Sequence, residues 1–346
     1  MKARYPIAAA LTSALVIAGC GNSPQAAPKN ASQTFSAKNT AQPMSTAKSS
    51  SKLKVIGFWA HHKALPASSL GAYKHSLTYL APLWYSATAS GALTSHVDPS
   101  VQAEDQKLHI PVLALVNDGT GTQSFLTSAA TRKATVQNID HIVATNHYQG
   151  VDIDFEPPHT RVKSELTLFM TQLRDSLPQS DVIVLDVVPH SGGAYDYKTL
   201  APEVSQFQLM TYDQHADGTV PGPVAALHWV TSITKRLMSL GVPGSKIYLG
   251  IALYGYRWTA GSTHATTIPY DAITPAIRAK ASWNSRYGEM SAAIGSDIYW
   301  WENRKGISQK IAFAKSQHLA GVALWQVGYA TPAIYDELIK DIGAQP

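Results

Sequence analysis

The chain is poor in cysteine. Its 346 residues include one, Cys20, which excludes an intrachain disulfide and any zinc site built from several thiolates. Acidic residues are also scarce: 23 Asp and Glu stand against 28 Lys and Arg, and none occurs before Asp98. Charged residues make up 15% of the chain, below the roughly 25% usual in soluble proteins. This basic balance favours an anionic partner such as cell-wall polymer, nucleic acid or lipid headgroups. No compact Lys/Arg cluster is present, so nucleic acid is not expected. Few carboxylates also means less to lose when carboxylates protonate, which is compatible with an acidic medium.

The N-terminus carries Lys2 and Arg4, then an apolar run over residues 7–18 that ends in Ile17-Ala18-Gly19-Cys20. That run is short for a membrane span. A charged start, a short apolar core and small residues before the cut describe a signal peptide over residues 1–19. Ile-Ala-Gly-Cys also resembles a bacterial lipobox, which implies lipidation of Cys20. Residues 20–51 are rich in Ser, Ala, Thr, Asn, Gln, Pro and Lys, with Phe35 as their one aromatic residue. Such a segment buries too little apolar surface to order itself and reads as a flexible tether.

From residue 52 to residue 346, short apolar runs alternate with helical patterns. Strands are expected at 55–60, 79–86, 112–117, 150–156, 182–188, 206–212, 247–254 and 321–327. Val162, Leu166, Phe169, Leu173 and Leu177 step by three or four along one helical face, as do Leu227, Val230, Ile233, Leu237 and Leu240. Gly241 and Pro243 stop the second of these helices. Eight strands alternating with helices indicate an α/β fold with a parallel sheet, and eight strands close a (β/α)8 TIM barrel. A doubly wound open sheet is the alternative, but the Gly-rich phosphate turn that many such folds carry is missing. Residues 258–301 are too long for a simple loop and contain Tyr270, Trp283, Tyr287, Tyr299, Trp300 and Trp301. They are expected to form a small insertion between the seventh strand and the last helix. Its aromatics either wall a cleft or fill a small core of their own.

The strongest chemical signal is Gln149-Gly150-Val151-Asp152-Ile153-Asp154-Phe155-Glu156, followed by two prolines. Alternate residues of a strand share a face. Asp152, Asp154 and Glu156 therefore point one way, into a barrel, while Val151, Ile153 and Phe155 point towards its helices. Glu156 comes last, towards the C-terminal rim where barrel active sites lie. Stacked carboxyl groups raise one another's proton affinity, which suits the last of them to general-acid work. A solvated edge strand fits poorly with Val, Ile and Phe between the acids. A carboxylate metal site remains open, although no histidine nearby completes a ligand set.

These residues resemble the DxxDxDxE signature of glycoside hydrolase family 18, the chitinase-like family, with Gln149 in place of the first Asp. Leu209-Met210-Thr211-Tyr212-Asp213 resembles the family's M-x-Y-D segment. The segments at 249–256 and 321–326 resemble its seventh and eighth strands, the latter ending in Trp325. Pro82-Leu83-Trp84-Tyr85, Gly222-Pro223-Val224-Ala225 and Tyr299-Trp300-Trp301-Glu302-Asn303 are similar to the spore-germination and cortex-lytic branch. Members of that branch often carry LysM repeats, which this chain lacks, and act as N-acetylglucosaminidases on peptidoglycan fragments.

The resemblance implies substrate-assisted, retaining hydrolysis of a β-linked N-acetylglucosamine glycan, without metal or cofactor. Glu156 is then the acid, Asp154 holds the substrate's acetamido group, Asp152 tunes Asp154, and Tyr212 orients the acetamido oxygen. Substrate contacts are expected from Trp325, Asp213, Met210, Tyr256 and Glu302. Asp213 has the alternative of capping its loop, and Glu302 that of starting the last helix. Of Tyr254 and Tyr256, the second is expected at the rim. Asp186 lies inside a strand whose inward face is not readable, and His61, His62 and His215 read as ordinary loop residues. The implied protein is a monomer, lipid-anchored on the outer face of a bacterial cell membrane. A chitinase, an endo-N-acetylglucosaminidase and a non-catalytic carbohydrate-binding lipoprotein are the competing readings. Loss of the acid would mark the last, and Glu156 is present.

Overall fold

The computed structural model describes residues 53–60, 66–156, 160–190 and 192–330. The expected signal peptide, Cys20, the tether, His61 and His62 lie outside the described residues.

Eight parallel strands form the sheet of the main body: β1 (Lys54–Trp59), β2 (Tyr79–Ala87), β4 (Leu113–Asp118), β5 (Gly150–Asp154), β6 (Val182–Val187), β7 (Gln206–Leu209), β8 (Ile247–Ala252) and β14 (Gly321–Trp325). A short β3 (Leu93–Ser95) runs antiparallel to β2. The order is β1-β14-β8-β7-β6-β5-β4-β2, and β1 also pairs with β2, so the sheet closes on itself. Closure decides for the barrel over the open doubly wound sheet. Helices α1 (Pro99–Leu108), α2 (Ser124–Thr127), α3 (Ala129–Asn146), α4 (Lys163–Ser176), α5 (Tyr197–Glu203), α6 (Leu227–Ser239) and α8 (Arg304–Ser316) fill the connections. No described helix is long and apolar enough to cross a membrane.

The pleat sorts the side chains. Val151, Ile153 and Phe155 are buried against the helical layer, where Phe155 lies 4.9 Å from Phe125 and 5.2 Å from Phe169 between ring centroids. Leu166, Phe169, Met170 and Leu173 form the buried face of α4. Inside the barrel, Ile56, Phe58, Ala81, Leu113, Leu115, Val184, Tyr248 and Ala323 form a second apolar cluster. Fully burying one large aliphatic or aromatic side chain contributes about 1.5–3 kcal/mol, so this plug is a packed floor for the polar groups near it. Leu240 departs from its expected face. It is 49% exposed, because Gly241 (φ +97°) ends the helix there.

Several strands stop earlier than the apolar runs suggest. β5 ends at Asp154, and Glu156 takes φ +28°, which turns the chain out of the ladder. β7 ends at Leu209, so Tyr212 and Asp213 stand on the loop above the sheet. β8 ends at Ala252, and Tyr254 already belongs to the insertion. That insertion is a five-stranded antiparallel sheet of β9 (Tyr254–Thr259), β10 (Ala265–Pro269), β11 (Ser282–Asn284), β12 (Glu289–Ile294) and β13 (Asp297–Trp301), in the order β10-β9-β13-β12-β11. A short α7 (Pro275–Ala279) packs on β12. Tyr270, Tyr299 and Trp301 fill the insertion's own core, while Trp283, Tyr287 and Trp300 are half-buried.

Candidate active site

The pleat of β5 carries Asp152 and Asp154 into the barrel. Asp152 is fully buried, Asp154 is half-buried, and Glu156 meets solvent at the rim although protein surrounds it densely. On the neighbouring β6, Val182 and Val184 face inward, so Asp186 does too, and it is 2% exposed. Four carboxyl groups thus rise in sequence from the barrel interior to its rim. Gln149, which departs from the family signature, is exposed at the opposite end of β5. Its replacement of an acid therefore leaves the rim untouched.

No Lys or Arg pairs with this cluster among the described residues. Both carboxylate oxygens of Asp152, Oδ1 of Asp154 and Oδ1 of Asp186 are buried without a conventional donor. A bare buried carboxylate is costly, and the groups respond by retaining protons. Burial pushes Asp186 well above the usual carboxylate range, helped by the charges of Asp152 and Asp154. Burial also raises Asp152, to about 7, while its hydrogen bond with Asp186 holds it down. Burial thus favours a proton retained between Asp186 and Asp152. A second pair forms above. Burial, then the charges of Glu156 and Asp152, push Asp154 well up, and its hydrogen bond with Glu156 raises it further. Glu156 is raised by burial and by the charge of Asp213, and is opposed by the hydrogen bond from Asp154. Asp154 and Glu156 thus form a hydrogen-bonded pair in which burial favours a retained proton.

Tyr212 is 8% exposed and receives a hydrogen bond at 3.4 Å from Gln208 Nε2, whose amide points inward from β7. Gly250 makes room for it. A Cβ at Gly250 would stand 2.8 Å from Tyr212 Cε1 and 2.7 Å from the Leu209 carbonyl oxygen. Asp213 adopts the left-handed conformation (φ +58°) and is exposed. Its Oδ1 accepts from Tyr256 at 2.8 Å and from Tyr254. Trp325 ends β14, half-buried, with its ring 5.1 Å from Phe58. The peptide that follows it is cis.

The structure thus brings Asp152, Asp154, Glu156, Tyr212, Asp213 and Trp325 to one end of the barrel. Two expected substrate contacts are corrected. Tyr256 is 2% exposed and spends its hydroxyl on Asp213, so it acts through that carboxylate and does not face the rim. Glu302 is fully buried in an ion pair at 2.8 Å with Lys310 of α8, a setting closed to any ligand. Met210 packs against the main core and is about as accessible as Tyr212. His215 is a loop residue whose Nδ1 lies 3.0 Å from the Val220 carbonyl oxygen.

Sequence reasoning missed Gln208 and did not place Asp186. Every residue of 182–188 except Asp186 is apolar, so no alternation marks its inward face. It also missed Asp118 and Gln123. Asp118 ends β4, and its charge adds to the rise of Asp154. Gln123 looks like loop sequence.

The model of the family described as Glycosyl hydrolases family 18 matches residues 75–330. The chain belongs to that family. Its closed barrel is a TIM barrel, as in the family 18 structures it resembles. It is 29% identical over 220 residues to YdhD of Bacillus subtilis (strain 168), described by its name as a sporulation-specific glycosylase. That stretch is 58% of this chain and 52% of YdhD, so the chain spans about half the length of that relative. A chitinase from Chromobacterium violaceum ATCC 12472 superposes with a TM-score of 0.76 at 21% identity, covering 85% of this chain and 100% of that one. The spore cortex-lytic enzyme SleL of Bacillus megaterium QM B1551 does so with a TM-score of 0.73 at 21% identity, covering 84% and 73%. At this identity the two structures speak for the fold.

Proposed function

We propose that this family 18 member is a glycosidase that cleaves β-linked N-acetylglucosamine polysaccharide with retention, peptidoglycan or spore-cortex fragments foremost, and works as a monomer. The observation that carries the proposal is the hydrogen-bonded pair of Asp154 and Glu156 beneath the rim, with Tyr212 beside it. Burial favours a proton retained in the pair. Glu156 delivers that proton to the glycosidic oxygen as the bond to C1 breaks. Asp154 is left as an anion that accepts the acetamido N–H and faces the developing positive charge. The substrate's own acetamido oxygen attacks C1 and forms an oxazolinium ion, the route by which this family departs from the two-carboxylate scheme. Tyr212 donates to that oxygen and holds it in attacking position. Glu156 then takes a proton from water, which opens the oxazolinium and restores the β configuration. Trp325 supplies an apolar face for the sugar ring. The sporulation and cortex-lytic names of YdhD and SleL support the choice of wall glycan.

The test is digestion of purified peptidoglycan, chitin oligomers and a high-mannose glycan, with mass analysis of the products. Wall glycan is expected to be cleaved fastest. Preference for one of the others would identify a chitinase or an endo-N-acetylglucosaminidase. Binding without cleavage of any would identify a lectin. Cleavage should require an N-acetylated sugar on the non-reducing side of the broken bond, and a thiazoline analogue should inhibit. An initially α product, or efficient cleavage of de-N-acetylated substrate, would rule out substrate assistance.

We further propose that lipidated Cys20 holds the enzyme on the outer face of the bacterial membrane, near such a substrate. The support is the sequence Ile17-Ala18-Gly19-Cys20 alone. Two acyl chains anchor firmly where one does so marginally, so Cys20→Ala should move the protein out of the detergent phase. Equal partitioning of both forms would sink the anchor.

A further inference from the structure

We propose that Gln123 is a positioning residue for the general acid, holding the peptide from which Glu156 projects through the Phe155 carbonyl. The inference rests on the reading of Glu156 as the acid. The geometry comes from the ends of two neighbouring strands. β4 ends at Asp118 and β5 at Asp154, and their ladder closes with Asn117 opposite Asp154. The Phe155 carbonyl lies beyond the ladder and takes its hydrogen bond from a side chain instead. Gln123 Nε2 donates to the Phe155 oxygen at 2.9 Å and to Asp118 Oδ2 at 2.9 Å. A primary amide has two N–H groups, and here one goes to each acceptor.

The amide is itself fixed. Gln123 is 3% exposed and sits in the left-handed conformation (φ +50°), with its own backbone N–H on Asp118 Oδ2 at 2.9 Å. The other oxygen of Asp118 accepts from the Thr120 backbone N–H at 2.8 Å and from the Thr120 hydroxyl at 2.6 Å. Four donors thus hold one carboxylate at the rim of β4. The same loop grips Phe155 a second time, because Phe125, two residues after Gln123, packs edge-on against the Phe155 ring. Phe155 is held by its ring and its carbonyl, and the next residue turns at φ +28° to bring its carboxyl against Asp154. A loop that merely covered the barrel would not need a buried amide bonded to the peptide beside the acid.

Three variants test this: Gln123→Leu, which removes both bonds at similar size, Gln123→Met, should the first not fold, and Thr120→Val. The last weakens the same loop at Asp118 but spares the Phe155 contact. Turnover of a fluorogenic N-acetylglucosamine oligosaccharide, melting temperature and crystal structures are measured for each. A misplacement of about 1 Å at a reacting group costs on the order of 10²-fold. Gln123→Leu is therefore expected to lower kcat by about tenfold or more with KM within about twofold, and to show Glu156 displaced from Asp154. Thr120→Val, which keeps the Phe155 bond, is expected to lower the melting temperature and to cost clearly less kcat than Gln123→Leu. Wild-type kcat in the Gln123 variant, equal kcat losses in both loop variants, or an unmoved Glu156 would overturn the inference. Glu156→Gln in the same assay separates the two readings. If it turned over normally the acid assignment would fall, while the crystal structure of Gln123→Leu would still decide whether the amide positions residue 156.

Discussion

Among the described residues, two clusters of buried carboxyl groups differ in whether a fixed cation stands beside them. At the barrel mouth, Asp152, Asp154 and Asp186 lie with Glu156 above them, and no cation pairs with them among the described residues. Where the insertion meets α8, Glu289 and Glu302 are equally buried, but Lys310 lies between them and pairs with Glu302 at 2.8 Å. Glu289 also accepts the backbone N–H of Val224 at 2.9 Å and that of Ala225. The second cluster is compensated in part by fixed groups, one lysine and two backbone N–H groups, which tie β12, the end of β13, α8 and the 222–226 segment into one unit. The first is satisfied by protons, which can leave. A buried acid compensated by a lysine is a structural joint, whereas one compensated by a shared proton is poised to give that proton away.

The sharpest way to break this comparison is to remove the mobile proton. Glu156→Gln keeps size and fold, and should lower turnover by about 10²–10⁴-fold. Near-normal hydrolysis by the variant would dissolve the distinction between the two clusters. Lys310→Met attacks the other one. Removing one member of a buried ion pair typically costs about 3–5 kcal/mol, so unfolding in urea should shift by that order while the folded fraction keeps its kcat. A variant as stable as the parent would show that the joint carries no strain of charge. Asp186 gives a finer probe. Asp186→Asn preserves a donor to Asp152 and should stay within about threefold of wild-type activity. Asp186→Leu leaves Asp152 without that donor, and an unpaired buried polar group should cost about tenfold or more. Identical activities for the two would mean that Asp186 only fills space.

The smallest effect concerns pH, and both clusters contribute. Burial raises Asp152 to about 7 and Glu289 to about 7, and Asp105 in α1 to about 6, from ordinary values near 4. Between these limits the folded chain binds more protons than the unfolded one. Stability is therefore full below about pH 4 for these groups, falls as pH rises through the window, and levels off above about 7. The melting temperature should be several degrees higher at pH 5 than at pH 8. A rise in melting temperature over that interval would contradict the assigned directions.

The eight barrel strands and the acids of β5 were legible because period-two alternation and strand count are local properties. Val151, Ile153 and Phe155 against Asp152, Asp154 and Glu156 fix a face without any tertiary information. The misreadings share one cause. Tyr256 and Glu302 are expected at the site from segments that resemble the family's, and such resemblance does not reveal what covers a residue. Only the folded insertion shows that Glu302 meets Lys310 and that Tyr256 meets Asp213. Asp186 was hidden for the opposite reason. It lies in an uninterrupted apolar run, where buried strands carry no alternation to read. Gln123 left no periodic mark either, because its role depends on a strand that is distant in sequence.

The register of the insertion has a consequence for how such a protein diversifies. Gly255, just inside its entrance, lies opposite Trp301, just before its exit. The two chain crossings are therefore neighbours, and the insertion is closed at its stem like a cassette. Turns at its far end, such as the one joining Ile294 to Asp297, can lengthen or shorten without moving the stem. The outer part of the insertion can then change in length while the acids of β5 keep their places.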